Sequence, residues 1–144
     1  MLLKSSSNTA ILDALNKSQA IIEFKLDGTI ITANGNFLQA MGYTLDEIKG
    51  RHHSLFVEPA EKDSADYRRF WERLRQGEYQ ATQFKRIGKG GKEIWLEASY
   101  NPVLSWRGHP VKIVKLATDV TAQRIATADL LGKVDAISRS QAVI

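Results

Sequence analysis

The period of the hydrophobic positions changes several times along the chain, and each change marks an element. In TAILDALNKSQ, residues 9–19, Ile11, Leu12 and Leu15 share one side of a helical turn and predict a short amphipathic helix. AIIEFK then reads as a strand, Asp27-Gly28 as a hairpin turn and TIITA as the return strand. Asn34 suits the N-cap of GNFLQAMG, whose Phe37, Leu38 and Met41 lie on one face before Gly42 closes the turn. Thr44 and Glu47 have capping-box spacing and open a second short helix, TLDEIKG. RHHSLFVEP keeps no period and predicts short helical turns. Over residues 64–76 the pattern is firm. Tyr67, Phe70, Trp71 and Leu74 recur at i, i+3, i+4 and i+7, with arginines opposite.

Two strands follow, YQATQFKRI and KEIWLEASYNPV, joined by Gly88-Lys89-Gly90-Gly91. No helix follows those glycines, so they predict a hairpin turn rather than a phosphate cradle. A last strand, VKIVKLATDV, runs after Gly108-His109-Pro110, and the chain turns helical from about Thr121. Alternation in the strand at 92–101 puts Ile94, Leu96, Ala98 and Tyr100 on an apolar face, and Glu93, Trp95, Glu97 and Ser99 on the other. Trp95 thus offers the outer face a place where a terminal helix can pack. The order helix, two strands, short helices, three strands, helix predicts an α+β fold with an antiparallel sheet. Short helices laid over one sheet face can enclose a ligand cavity.

Composition narrows this little. The 144 residues are 43% hydrophobic and 25% charged, as expected of one globular domain. There is no apolar run of membrane-spanning length, and MLLKSSSNTA lacks a signal-peptide core, so cytoplasmic residence without membrane insertion is expected. With zero Cys there is no disulfide, thiolate metal site or cysteine nucleophile. The net charge of +4 directs attention to Arg68, Arg69, Arg73, Arg75, Lys85, Arg86, Lys89 and Lys92. The first four alternate with Asp66 and Glu72 and the rest flank a glycine turn, so all eight predict a solvated face and no nucleic-acid partner.

Four segments in order resemble the PAS family across residues 20–121: DGTIITANGNFLQAMGYTLDEIKGR, FWERLRQGE, KRIGKGGKEIWLEASYNPV and the closing ATDVT. The resemblance implies a five-stranded antiparallel sheet, short helices over one face and flanking N- and C-terminal helices. It also implies a sensory module that passes the state of an internal pocket to the helix after its last strand. The stretch GRHHSLFVEP, with the segments after it, is most similar to input domains of bacterial methyl-accepting chemotaxis and aerotaxis transducers. On that resemblance Phe37, Phe56, Trp71, Leu74, Leu96 and Tyr100 line or close one internal space. Asp119 and Thr121 stand where the last strand hands its signal to the linker helix.

The resemblance also bears on cofactors. A flavin–cysteine adduct is excluded, and His53 in GRHHS occupies the place of that cysteine in flavin photoreceptors. Helix 64–76 holds no His for haem, and His109 beside a glycine turn is expected in solvent, which leaves His52 and His53. His53 is the candidate cofactor contact, and the haem ligand if haem is bound, in a loop expected to lie outside the main core. FAD is the first candidate because FAD-binding aerotaxis receptors carry a His at the matching place. They also carry an Arg-His pair where this chain reads Val57-Glu58, and a Trp near Tyr79. Haem is second, and the third possibility is no cofactor. No metal site is expected otherwise.

Residues 135–144, DAISRSQAVI, repeat residues 13–22, DALNKSQAII, with six identities and four conservative swaps. The 122-residue offset from Asp13 to Asp135 matches one such domain plus a connecting helix, so a second PAS domain is expected to open there. Within the connecting helix, Val120, Gln123, Thr127, Leu130, Val134, Ile137, Gln141 and Ile144 step by threes and fours, a polar-diluted heptad seam. The expected organisation is a helical cap at 1–19, a sensory domain at 20–121 and a linker at 122–144. A homodimer through the terminal helices is expected, with a signalling domain elsewhere in the full-length protein. The chain reads as a non-catalytic input domain of a chemotaxis transducer. The alternatives are the same module on a sensor histidine kinase or cyclic-dinucleotide enzyme, or a small α+β hydrolase or transferase, for which no catalytic spacing is apparent.

Overall fold

A computed structural model describes residues 2–142, with side chains described for residues 7–139. Helix α1 (Leu2–Ser18) leads into strands β1 (Ala20–Phe24) and β2 (Ile30–Ala33). Then come α2 (Gly35–Met41), α3 (Leu45–Ile48), a 3-10 turn (His53–Phe56), α4 (Pro59–Lys62) and α5 (Ala65–Arg75). Strands β3 (Gln80–Ile87), β4 (Glu93–Leu104) and β5 (Pro110–Asp119) follow, and α6 (Thr121–Ala142) closes the described chain. Helix α1 begins earlier than its apolar positions predict, since residues 2–8 contain no Gly or Pro to stop it.

All pairings are antiparallel, in the order β2-β1-β5-β4-β3. The first and last strands therefore meet at the sheet's centre, with Ile22 opposite Lys115 and Lys115 opposite Tyr100. This long-range closure fixes which residues point inward. Phe84 pairs with Leu96, and Arg86 with Ile94, so Arg86 faces the core. That corrects the expectation of a solvated Arg86, which is only 2% exposed; Arg68, Arg69, Arg73, Arg75, Lys89 and Lys92 are exposed as expected.

The helices lie over one face through specific local contacts. The Asn34 side chain accepts from the Phe37 N–H, capping α2, and from the Ile21 N–H, while its amide donates to Gln19 O. One residue thus ties the end of α1, the start of β1 and the start of α2 together. The Glu47 carboxylate accepts from the Thr44 N–H, completing the predicted box on α3. Gly28 is required twice over: its φ is +91°, and a Cβ there would stand 2.5 Å from His52 Nε2. At Gly88 a Cβ would meet the Met41 carbonyl oxygen at 2.7 Å, so β3 passes close beneath α2.

A buried polar cluster and a strand–helix junction

The double histidine splits into two roles. His52 stays at the surface, where its Nδ1 accepts from the Ser54 N–H and its Nε2 donates to Asp27 O at 2.9 Å. That ring caps the 3-10 turn and directs the next side chain inward. The His53 N–H donates to Gly28 O, and the imidazole is fully buried. The expectation that this loop lies outside the core is corrected. A pattern without a period cannot show that a turn dives beneath a helix.

The His53 ring lies between two phenols. Nδ1 is 2.7 Å from the Tyr67 hydroxyl and Nε2 is 2.9 Å from the Tyr100 hydroxyl. Tyr100 already accepts from Arg86 Nε at 3.3 Å and Nη2 at 3.2 Å, which fills its lone pairs. Its own O–H must therefore donate to His53 Nε2, leaving His53 Nδ1–H to donate to Tyr67. The network itself assigns this tautomer. Burial, then the positive fields of Arg86, Lys115 and His52, hold the His53 pKa well below its usual 6.5 and keep the ring neutral. Burial likewise pushes Tyr67 up to about 12 and raises Tyr100.

Two basic side chains flank this triad. Burial works against the charge of Arg86, but Tyr100, Glu61 and Tyr67 offset it and keep it charged. Arg86 Nη1 also donates to Lys85 O and reaches Glu61 at 3.4 Å. Lys115 is different. It is 1% exposed, and its Nζ lies 4.7 Å from the Tyr100 ring centre and 5.8 Å from that of Phe37. Its amine thus sits over two aromatic faces. Burial and then Arg86 push its pKa well below 10.5.

Phe37, Phe56, Trp71, Leu74, Leu96 and Tyr100 all join one buried core. His53 links the rings, with centroids 6.1 Å from Phe56, 5.3 Å from Trp71 and 5.5 Å from Tyr100. The Trp71 indole N–H is buried there and completes no hydrogen bond, although the Tyr67 hydroxyl lies within its electrostatic influence. A cavity of about 180 Å³, lined by Glu61, Asp66, Tyr67, Phe70, Phe84 and Arg86, adjoins the cluster from the β3 side. Sequence pattern marks His53 and Tyr100 for this site but not Tyr67, Arg86 or Lys115. Alternation along β3 and β5 carries the signal that finds the last two. Arg86 shares a face with Phe84, and Lys115 shares one with Ile113 and Ala117.

On the opposite face of the sheet the junction is equally specific. The Thr121 hydroxyl oxygen accepts from the Trp95 N–H at 2.9 Å, and its O–H donates to Asp119 Oδ1 at 2.6 Å. Asp119 also accepts from the Thr121 N–H at 2.9 Å. The first turn of α6 is thereby fixed to the beginning of β4. The Arg124 guanidinium lies 3.5 Å from the Trp95 ring centre and donates to Gln83, so α6 begins its course over the outer face at Trp95 as expected. Farther along, Leu130, Val134 and Ile137 of the seam are exposed, but so are Ile125 and Leu131 off it. The Gln141 side chain and Ile144, with most of the repeated segment's end, lie outside the described residues. No described helix is long and apolar enough to cross a membrane.

Over 131 residues the chain is 47% identical to the biofilm dispersion protein BdlA of Pseudomonas aeruginosa, covering 91% of this chain and 31% of that protein. It is 30% identical to the aerotaxis receptor of Escherichia coli over 108 residues, covering 75% of this chain and 21% of the receptor. The chain thus spans a third or less of the length of these relatives. A light-oxygen-voltage domain solved in work on a flavin analogue superposes with a TM-score of 0.67 at 21% identity, covering 88% of this chain and 95% of that one. A PAS domain from Colwellia psychrerythraea gives 0.66 at 18% identity, covering 85% and 99%. The profile of the PAS fold matches residues 30–117, from the start of β2 through the buried face of β5, and the chain belongs to that family.

Proposed function

We propose that residues 20–121 form the sensory input domain of a cytoplasmic chemotaxis transducer, with residues 1–19 as a helical cap and 122–144 as linker to a second PAS domain. The observation that carries this reading is that two strands join the interior to the junction. β5 holds Lys115 inside and Asp119 at its end; β4 holds Tyr100 and Leu96 inside and Trp95 outside. A change in the packing around Tyr100 therefore moves strands that anchor the first turn of α6. The relatives named for aerotaxis and biofilm dispersion support the assignment to a transducer. The domain does no chemistry of its own and works as a homodimer through its terminal helices.

The interior holds a planar ligand, with a flavin as first candidate. The buried Trp71 indole N–H completes no hydrogen bond and the Lys115 amine meets two ring faces, which fits the carbonyl-bearing edge of a flavin ring. A flavin would supply a redox state to sense, while Phe37, Phe56 and Trp71 hold the ring and Lys115 fixes its edge. Haem fits poorly. Both nitrogens of His53 are engaged by phenols, so ligating iron would cost a buried hydrogen bond.

The test is to purify the protein without added cofactor, denature it and examine the supernatant by absorbance and mass spectrometry. A flavin is the expected product; protein from which no small molecule is released overturns the cofactor reading. Deleting residues 1–121 from the full-length protein is expected to abolish its response to stimulus. An unchanged response overturns the input role.

A further inference from the structure

The cavity of about 180 Å³ beside the ring cluster has two chemically different ends. Its buried end is made by Arg86 on β3 and Tyr67 on α5, which are 2% and 8% exposed. Its outer end is made by Glu61 on α4 and Asp66 on α5, whose side chains are 45% and 92% exposed. Phe70 and Phe84, with ring centres 5.7 Å apart, supply the apolar wall.

Both groups at the buried end retain a spare donor. Among the described residues Arg86 uses four of its five N–H groups: Nε–H and one on Nη2 go to Tyr100, and those on Nη1 go to Glu61 and Lys85 O. The Tyr67 oxygen accepts from His53 Nδ1–H, and its own O–H meets no acceptor among the described groups. The Arg86–Glu61 contact, at 3.4 Å, is also long for a charge-assisted hydrogen bond, which usually spans about 2.7–2.9 Å. Two donors beside a permanent cation suit an anionic group, while carboxylates at the outer end suit a cationic one. A ligand carrying both charges would match this lining without burying a net charge, which is costly when uncompensated. The volume equals that of about six waters at about 30 Å³ each, so it admits a body of about six non-hydrogen atoms.

We infer that this cavity is a binding site for a small zwitterionic amino acid. Arg86 and the Tyr67 hydroxyl hold its carboxylate, and Phe70 and Phe84 pack its short side chain. Asp66 is already paired with Arg69 at 2.8 Å, so Glu61 takes the ammonium. The inference goes beyond the flavin reading and does not depend on it, since Phe37, Phe56, Trp71 and Lys115 are not among the residues lining this cavity. Occupancy nevertheless has a route to the interior. Arg86 holds the Tyr100 oxygen through two N–H groups, and Tyr67 holds His53, so a carboxylate drawing on both donors acts on the His53–Tyr100 pair.

Titration of the protein with L-alanine, followed through the Arg86 Nε–H resonance by heteronuclear NMR, tests this. A saturable shift is expected. Propionate and ethylamine, which each keep one of the two charges, should bind more weakly by about tenfold or more. Glu61→Gln changes only the outer end and so spares the fold; it should weaken L-alanine by about tenfold and leave propionate unchanged. Tyr67→Phe keeps the ring, and should weaken L-alanine and propionate alike while leaving ethylamine unchanged. Absence of a saturable shift with L-alanine, propionate binding equal to L-alanine, or L-alanine binding unaffected by Glu61→Gln overturns the inference. So does L-alanine that binds without moving the Arg86 resonance, because it then sits elsewhere. The flavin reading is untouched by any of these outcomes and is judged by what the denatured protein releases.

Discussion

His53 and Tyr100, 47 residues apart, meet at 2.9 Å beneath the helices, with the tyrosine hydroxyl donating to a neutral imidazole. That contact joins the 3-10 turn to a central strand. His53→Ala would leave the hydroxyls of Tyr67 and Tyr100 without their ring partner and open a cavity in the aromatic cluster. A loss of about 3 kcal/mol or more is expected in urea unfolding. An unchanged midpoint would place His53 outside the core.

The same burial fixes a pH dependence. The folded His53 pKa is depressed from 6.5, so the unfolded chain binds the proton first as pH falls. This residue's contribution is fully present above about pH 6.5 and is lost below it. His53→Gln should flatten the decline in unfolding free energy over that acid range, even though it lowers stability overall.

Lys115 gives the opposite sign on substitution. The unfolded chain carries its proton below 10.5, while burial makes the folded protein resist it. Lys115→Met should therefore stabilise the isolated domain at neutral pH by about 1–4 kcal/mol. The advantage should shrink as pH rises toward 10.5, where both states hold a neutral amine. Unfolding curves at several pH values check this, and a destabilised variant would contradict it.

These residues also show what the sequence made legible. Strand alternation and helical stripes placed Tyr100, Leu96, Phe37 and Trp71 inside, and put Trp95 under the terminal helix, because apolar period and burial have one cause. Arg86 and Lys115 obey the same alternation, yet their charge argued for solvent. Only the register with Ile94 and Tyr100 shows that pairing overrides it. His53 escaped for another reason. A short turn has no repeat, so its depth depends on contacts with Gly28, 25 positions away, that are fixed only once the sheet and helices have assembled.

The linker seam makes a prediction about assembly. Leu130, Val134 and Ile137 are exposed on α6, and exposed apolar side chains at heptad spacing gain stability by pairing. A fragment carrying the whole chain should sediment as a concentration-dependent dimer. Leu130→Glu with Val134→Glu should shift it to monomer without altering its unfolding midpoint at low concentration. A wild-type fragment that stays monomeric at high concentration would remove the linker from the dimer contact.

Asp119 and Thr121 offer the sharpest test of relay. Thr121→Val deprives the Trp95 N–H of its acceptor and the Asp119 carboxylate of its donor hydroxyl, which should cost about 1–2 kcal/mol and speed amide exchange at Trp95. Asp119→Asn is subtler. Asparagine Oδ1 can still accept from the Thr121 N–H and hydroxyl, so the cap and the fold should survive with little change. What it removes is the charge at the point where β5 becomes α6. If capping is the whole role of Asp119, the full-length protein will signal normally. If the charge holds the first turn of α6 in one of two positions against β4, the Asn variant should keep its fold and any ligand while its output is locked on or off. The locked output is the expected result, and a receptor that still responds to stimulus would reduce Asp119 to a cap.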